Sequence, residues 1–195
     1  MSGGLQLSRV DLRNAKSQKE FQELIVKADN ELAEGVWMQG GNWDHELWGG
    51  QYPDRSWIDQ VVDDRPVFLD RLDGHMALAN SSALTLADIT KDTKDPVGGI
   101  ILKDSNGEPT GILKDQAMGL CGKLIPASSL EELDHALKKA TEYALSLGVT
   151  QVHDMGSWTD LETYKRNHNK GDLNIRIKIY PWSVSYTHLT LPTKA

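Results

Sequence analysis

Residues 65–84, RPVFLDRLDGHMALANSSAL, set a short apolar run against a polar stretch. Asp70, Asp73 and His75 follow just where PVFL, which has the composition of a buried strand, comes to its end. In sheets whose strands run parallel, the loops after the strands' carboxyl ends converge on a crevice, and chemistry collects there. What Asp70, Asp73 and His75 do therefore depends on whether the chain around them alternates between helix and strand.

It does so in four rounds. In SQKEFQELIVKADNELAEG (17–35), Ser17 and Glu20 form a capping box, Phe21, Leu24, Ile25, Ala28 and Leu32 recur on one helical face, and Gly35 supplies a left-handed end. VWMQG follows at once, short and apolar. The second round runs from DRSWIDQVV (54–62) through the turn DDRP into VFLD. The third is SSLEELDHALKKATEYALSLG (128–148), with an inner stripe of Leu133, Leu137, Ala140, Ala144 and Leu147, leading into VTQVHD. WTDLETYKRNHNKG (158–171) and NIRIKIY make the fourth. Four such units in order imply right-handed crossovers and a parallel sheet covered by helices. One segment departs from the rhythm: GGIILKDSNGEPTGILKD has two extended arms around Asn106-Gly107, a pair favoured in tight hairpins because both turn residues need positive φ. It reads as an antiparallel insertion at about 97–115.

Composition narrows the function. With 21 basic and 28 acidic residues among 195, the net charge is -7, and no basic cluster offers the face that a phosphate backbone requires. No nucleic-acid partner is expected. No apolar run approaches the roughly 20 residues of a membrane span, so no membrane partner is expected and the chain reads as soluble, with the cytoplasm the favoured compartment. The single Cys121 forms no internal disulfide and reads as a small buried filler.

Under the strand-end rule the polar residues gather at one rim: Trp43, Asp44, His45 and Glu46 after the first strand, Asp70, Asp73 and His75 after the second, His153 and Asp154 at the end of VTQV, and Trp182 after NIRIKIY. Singly, each has a plain alternative as a cap or loop hydrogen-bond partner, and His45 reads equally well as a solvated loop residue. His135 lies on the polar side of its helix and His168 suits a helix carboxyl end. Three successive strand ends carrying His and Asp together raise the functional reading. No His-x-His, HExxH or zinc-spaced Cys/His cluster is present, so no residue is assigned as a metal ligand. GHMALANS lacks the second glycine of a nucleophile elbow.

The segments GNWDHELWGG, RPVFLDRLDGHMALANSSAL, GEPTGILKDQAM and LGVTQVHDMG, in this order, resemble amidohydrolase family 3, which includes N-substituted formamide deformylase-like enzymes. The resemblance covers nearly all of residues 1–182, and DGHMALANS is its most telling part. It implies a metal-dependent hydrolase of non-peptide carbon-nitrogen bonds on a distorted (β/α)₈ barrel, with zinc or another divalent ion activating water. The family's His-x-His pair, lysine ligand, two later histidines and final aspartate have no counterpart in this chain. Lys114, on a hairpin arm, is no substitute for that lysine. The resemblance thus implies an internal piece of the enzyme: an incomplete TIM-type barrel over 1–184, its hairpin insertion, and a tail from Ser185 to Ala195 that reads as foreign. It also implies a piece that is inactive and poorly soluble alone, with no information on oligomeric state.

Within that frame His75 and Asp154 are the expected catalytic residues, His75 bonding a substrate carbonyl or oxyanion. Trp43, Asp44, Asp73, Asn80 and His153 are the expected substrate-binding residues, with Asn80 one helical turn beyond His75 and holding its loop. The expected partner is a small amide or N-formyl compound. Two other classes remain open: a non-enzymatic fragment or binding module, and a glycoside hydrolase using a carboxylate pair such as Asp44 and Asp154.

Overall fold

In a computed structural model, residues 1–180 are described; Trp182 and the tail from Ser185 lie outside the described residues. In chain order the elements are α1 (Ser2–Gln6), β1 (Val10–Asp11), α2 (Gln18–Glu31), β2 (Met38–Trp43), a 3-10 turn (His45–Trp48), α3 (Ser56–Asp59), β3 (Val67–Arg71), β4 (Met76–Ala79), α4 (Ser81–Leu86), β5 (Gly99–Lys103), β6 (Pro109–Asp115), α5 (Met118–Gly122), α6 (Leu130–Ser146), β7 (Gln151–Asp154), α7 (Trp158–Lys170) and β8 (Arg176–Ile179). They divide into two compact units: Arg9–Ala127, and Met1–Ser8 with the chain from Ser128.

The first unit is a six-stranded mixed sheet in the order β1-β2-β3-β4-β6-β5. The first three strands pair parallel, as the alternation of helix and strand predicts. Helix α2 starts at Ser17, whose hydroxyl accepts the Glu20 N–H, and sinks Phe21 and Ile25 fully into the core. Each burial contributes roughly 1.5–3 kcal/mol. They join Met38, Val67, Leu69, Leu78 and Ile112 in one apolar cluster. A second cluster holds Trp37, Phe68, Ala77, Ala79, Ile101, Leu113 and Cys121. Phe68 and Leu69 enter different clusters because adjacent strand residues point to opposite faces. Burial pushes the Cys121 thiol up to about 11.

Beyond β3 the sheet departs from the parallel barrel expected of it, and a closed barrel is not formed by the described residues. MALA is a strand, β4, that runs back antiparallel along β3, with Leu69 opposite Leu78 and Asp70 opposite Ala77. The cause is local: Asp73-Gly74 makes a hairpin turn, with Gly74 at φ 72 and its N–H donating to the Arg71 carbonyl at 3.0 Å. The segment at 97–115 is a β5–β6 hairpin, yet it is continuous with the main sheet, because β6 pairs with β4. Its turn also differs from the expected type. Gly107 has φ 83, whereas Asn106 is absent from the positive-φ residues; the Asp104 carboxylate holds the loop by accepting the Asn106 and Glu108 N–H groups. The second predicted helix shrinks to the four residues of α3.

The second unit packs α1, α6 and α7 around few apolar residues and carries a two-stranded parallel sheet, β7-β8. Capping boxes at Ser129/Glu132 and Ser157/Asp160 start α6 and α7, and Gly171 ends α7. Leu133, Ala136, Leu137 and Thr141 form the buried stripe of α6. The expected inner residue Leu147 is instead 64% exposed, because it serves as the helix's C-cap after the regular face has ended.

Candidate functional site

In the first unit, the carboxyl ends of β2 and β3 meet because the two strands run parallel and in register. Strand β2 closes with three left-handed residues, Gly40, Gly41 and Asn42, at φ 117, 114 and 55. A Cβ on Gly41 would lie 2.5 Å from the Asp70 carbonyl oxygen, so only glycine permits this approach. The resulting bulge turns Trp43 inward. Trp43 is fully buried, its indole N–H donating to the Leu69 carbonyl at 2.9 Å. The expected pocket-lining residue is therefore part of the core.

Asp44 caps the following 3-10 turn, its carboxylate accepting the Glu46 N–H at 3.2 Å. His45 is not a solvated loop residue. It is only 6% exposed, stacks on Tyr52 at 4.5 Å between ring centroids, and accepts a hydrogen bond at Nδ1 from the Arg71 Nε–H at 3.3 Å. That donor fixes the lone pair on Nδ1. Lys114 sits over the other partner of this stack, its Nζ 4.7 Å from the Tyr52 ring centre.

Arg71, the last residue of β3, ties the site together. Its guanidinium donates to the Asp73 carboxylate and, at 3.5 Å, to Asp44. With Asp44, Asp73 and His45 all engaged, Arg71 acts as a brace between the loop after β2 and the hairpin turn after β3. Burial works against ionised Asp73, but the His75 N–H and the Arg71 guanidinium prevail and hold its carboxyl below the usual range. Asp70, the strand residue just before Arg71, goes the other way: burial raises it, with Arg9 opposing.

His75 leaves the turn with its ring exposed and both ends of the residue anchored. Its N–H donates to Asp73 Oδ1 at 3.0 Å, and its Nδ1 lies 3.0 Å from Asp115 Oδ1. The Asp115 N–H in turn donates to the His75 carbonyl at 2.9 Å. Asn80 does not belong to this group. It lies at the opposite end of β4, because the segment after His75 is a strand of four residues and not a turn of helix. There it is buried, accepting the Val67 and Ala83 N–H groups and donating to the Arg65 carbonyl, which fixes the start of α4.

In the second unit, His153 and Asp154 close β7. Asp154 Oδ2 accepts the Tyr164 hydroxyl at 2.6 Å, and burial, reinforced by that carboxylate, raises the phenol above its ordinary value. His153 is exposed, with Nε2 3.2 Å from the Gln151 amide nitrogen. The structure thus brings Asp44, Asp73 and His75 together through Arg71, and places His153 and Asp154 in the other unit.

Arg71 and Asp115 were missed by sequence reasoning. Pairing MALA with GILKD as neighbouring strands would have set Asp115 beside His75, and Asp73-Gly74 between two apolar runs was the signal for that pairing. Among the described residues, no three His, Cys, Asp or Glu side chains converge closely enough to hold a metal ion.

A family model for an amidohydrolase family matches residues 1–192. The chain is 46% identical over 158 residues to the protein LONG AFTER FAR-RED 3 of Arabidopsis thaliana, covering 81% of this chain and 27% of that protein. It is 31% identical over 161 residues to the N-substituted formamide deformylase of Arthrobacter pascens, covering 79% and 30% respectively. Its structure resembles that of an uncharacterized metal-dependent hydrolase from Pyrococcus horikoshii, with a TM-score of 0.64, 27% identity, and coverage of 92% of this chain and 34% of that one. The chain therefore spans about a third or less of the length of these relatives.

Proposed function

Because this chain belongs to the amidohydrolase family, we propose that it is the segment of a metal-dependent hydrolase that presents an acid-base histidine to an amide or N-formyl substrate. The observation that carries the proposal is the imidazole–carboxylate pair of His75 and Asp115, 3.0 Å apart, on the turn that Arg71 braces against Asp44. The name of the formamide deformylase relative supports a carbon-nitrogen substrate over the sugar chemistry of an Asp44 and Asp154 pair.

In this proposal the complete enzyme is a TIM-type barrel using a divalent ion, zinc in the simplest case. The residues present do not fit that ion by themselves, so no step is routed through it. His75 takes a proton from the attacking water or returns one to the departing amine, and Asp44 and Asp73 order the rim around the substrate. Asp154, the second expected catalytic residue, and His153 carry no step in this proposal; Asp154 Oδ2 is taken by the Tyr164 hydroxyl at 2.6 Å. Alone, the segment is inactive.

The test is hydrolysis of an N-substituted formamide by a family member carrying this segment in place of its own. His75→Ala lowers kcat/KM by about 100-fold or more with metal content unchanged; unchanged turnover removes His75 from the mechanism.

A further inference from the structure

We infer that Asp115 is the positioning residue for His75: it holds the imidazole as the Nδ1–H tautomer, so that the neutral ring presents an Nε2 lone pair to solvent. The inference rests on the reading of His75 as the acid-base group. It changes what that group can do, since a neutral ring held this way accepts a proton or an N–H hydrogen bond at Nε2. Only after taking up that proton can it donate to an oxyanion.

Three bonds carry the argument. An ionised carboxylate has no proton to give, so the 3.0 Å contact between Asp115 Oδ1 and His75 Nδ1 places the hydrogen on the ring nitrogen. The 2.9 Å bond from the Asp115 N–H to the His75 carbonyl ties the same two residues through their main chains. The 3.0 Å bond from the His75 N–H to Asp73 Oδ1 stops the turn from pivoting about that tie. Ring and backbone are thus held from two sides, although 75% of the side chain is open to solvent.

The backbone gives a second, independent observation. Asp115 has φ 47, a left-handed conformation that glycine adopts freely and that Asp and Asn tolerate better than other side chains. The fold at this point needs a reversed backbone, with no need for a carboxylate; the carboxylate's own contact is with His75. Strained non-glycine residues of this kind cluster at functional sites.

Two variants separate the carboxylate from the backbone. Asp115→Gly removes the side chain and relieves the left-handed strain. Asp115→Asn keeps shape and left-handed tolerance but replaces an obligate acceptor with an amide that can donate. In this chain, nitrogen-15 histidine spectra report the His75 tautomer directly. The native protein should show Nδ1–H, and Asp115→Gly should move toward the Nε2–H form that the free histidine side chain prefers, with Asp115→Asn, whose amide oxygen can still accept, moving less. In the family member carrying this segment, both should lower kcat/KM by about 10- to 100-fold at an unchanged melting temperature. A native Nε2–H ring, or an Asp115→Gly variant that keeps the native tautomer, overturns the inference. A tautomer that shifts while both these variants and His75→Ala leave kcat/KM intact would instead sustain the positioning and refute the catalytic reading of His75.

Discussion

The two units use the same parts, amphipathic helices with capped ends leading through glycine into short strands, but hold them differently. In Arg9–Ala127 the strands are lined on both faces by fully buried side chains, among them Phe21, Trp43, Leu69, Leu78 and Leu113. In the other unit neither β7 nor β8 contains a buried residue. There α6 and α7 are joined by a polar knot: Asp134 accepts from Arg166 at 2.5 and 3.0 Å, from the Asn167 amide at 2.6 Å and from Lys170 at 3.0 Å. Local helix and strand signals are therefore silent about what stabilises the result. One unit rests on apolar burial and the other leans on charge.

The sharpest way to break this contrast is to truncate one anchor of each kind. Phe21→Ala should cost about 3–5 kcal/mol in denaturant unfolding followed by tryptophan fluorescence, since it empties a fully buried site that also holds Trp48 and Trp57 edge-on. Asp134→Ala should cost about 1 kcal/mol and loosen hydrogen-exchange protection in α6 and α7 alone. A loss as large as that of Phe21→Ala would refute the division.

Acid and salt sharpen it further. Arg166 beside Asp134, with Asn167 and Lys170, holds the Asp134 carboxyl well below the usual range. A depressed acid contributes stability that is fully present above its unfolded value of about 3.9 and is lost as pH falls through the lower folded value. Exchange protection of α6 and α7 should therefore decline below about pH 4, and Asp134→Asn should flatten that decline. Raising salt at neutral pH should weaken the same helices and leave the apolar unit nearly unmoved.

Smaller effects belong to the turns and the surface. Gly74→Ala meets no atom within 4 Å, so its cost should be only that of φ 72, about 1 kcal/mol. Leu147→Ala, at an exposed C-cap, should stay within about 0.5 kcal/mol by thermal melting.

What the sequence made legible follows the same physics. Helices α2, α6 and α7 were readable because their caps and apolar spacing are local signals. The parallel direction of β2 and β3 was readable from alternation. Strand β4 was not, because MALA is too short to show a period and the preceding Asp73-Gly74 was read as a polar loop after a strand end. That one misreading displaced Asn80 from the end of a strand to a helix near His75, and hid Asp115. Trp43 was misplaced for a different reason: a left-handed bulge inverts the side on which the next residue falls, and no periodicity records it. His45 and Arg71 find each other across 26 residues, a pairing visible only in three dimensions.

Cys121 is the one cysteine of this chain. Cys121 is fully enclosed, and burial pushes its thiol up to about 11. Only the ionised sulfur attacks an alkylating reagent, so in the closed state iodoacetamide finds nothing to react with. Each labelling event then marks one excursion in which the Phe68 and Leu113 side of the sheet gapes open. Mass gained per minute then follows that breathing with no residue replaced.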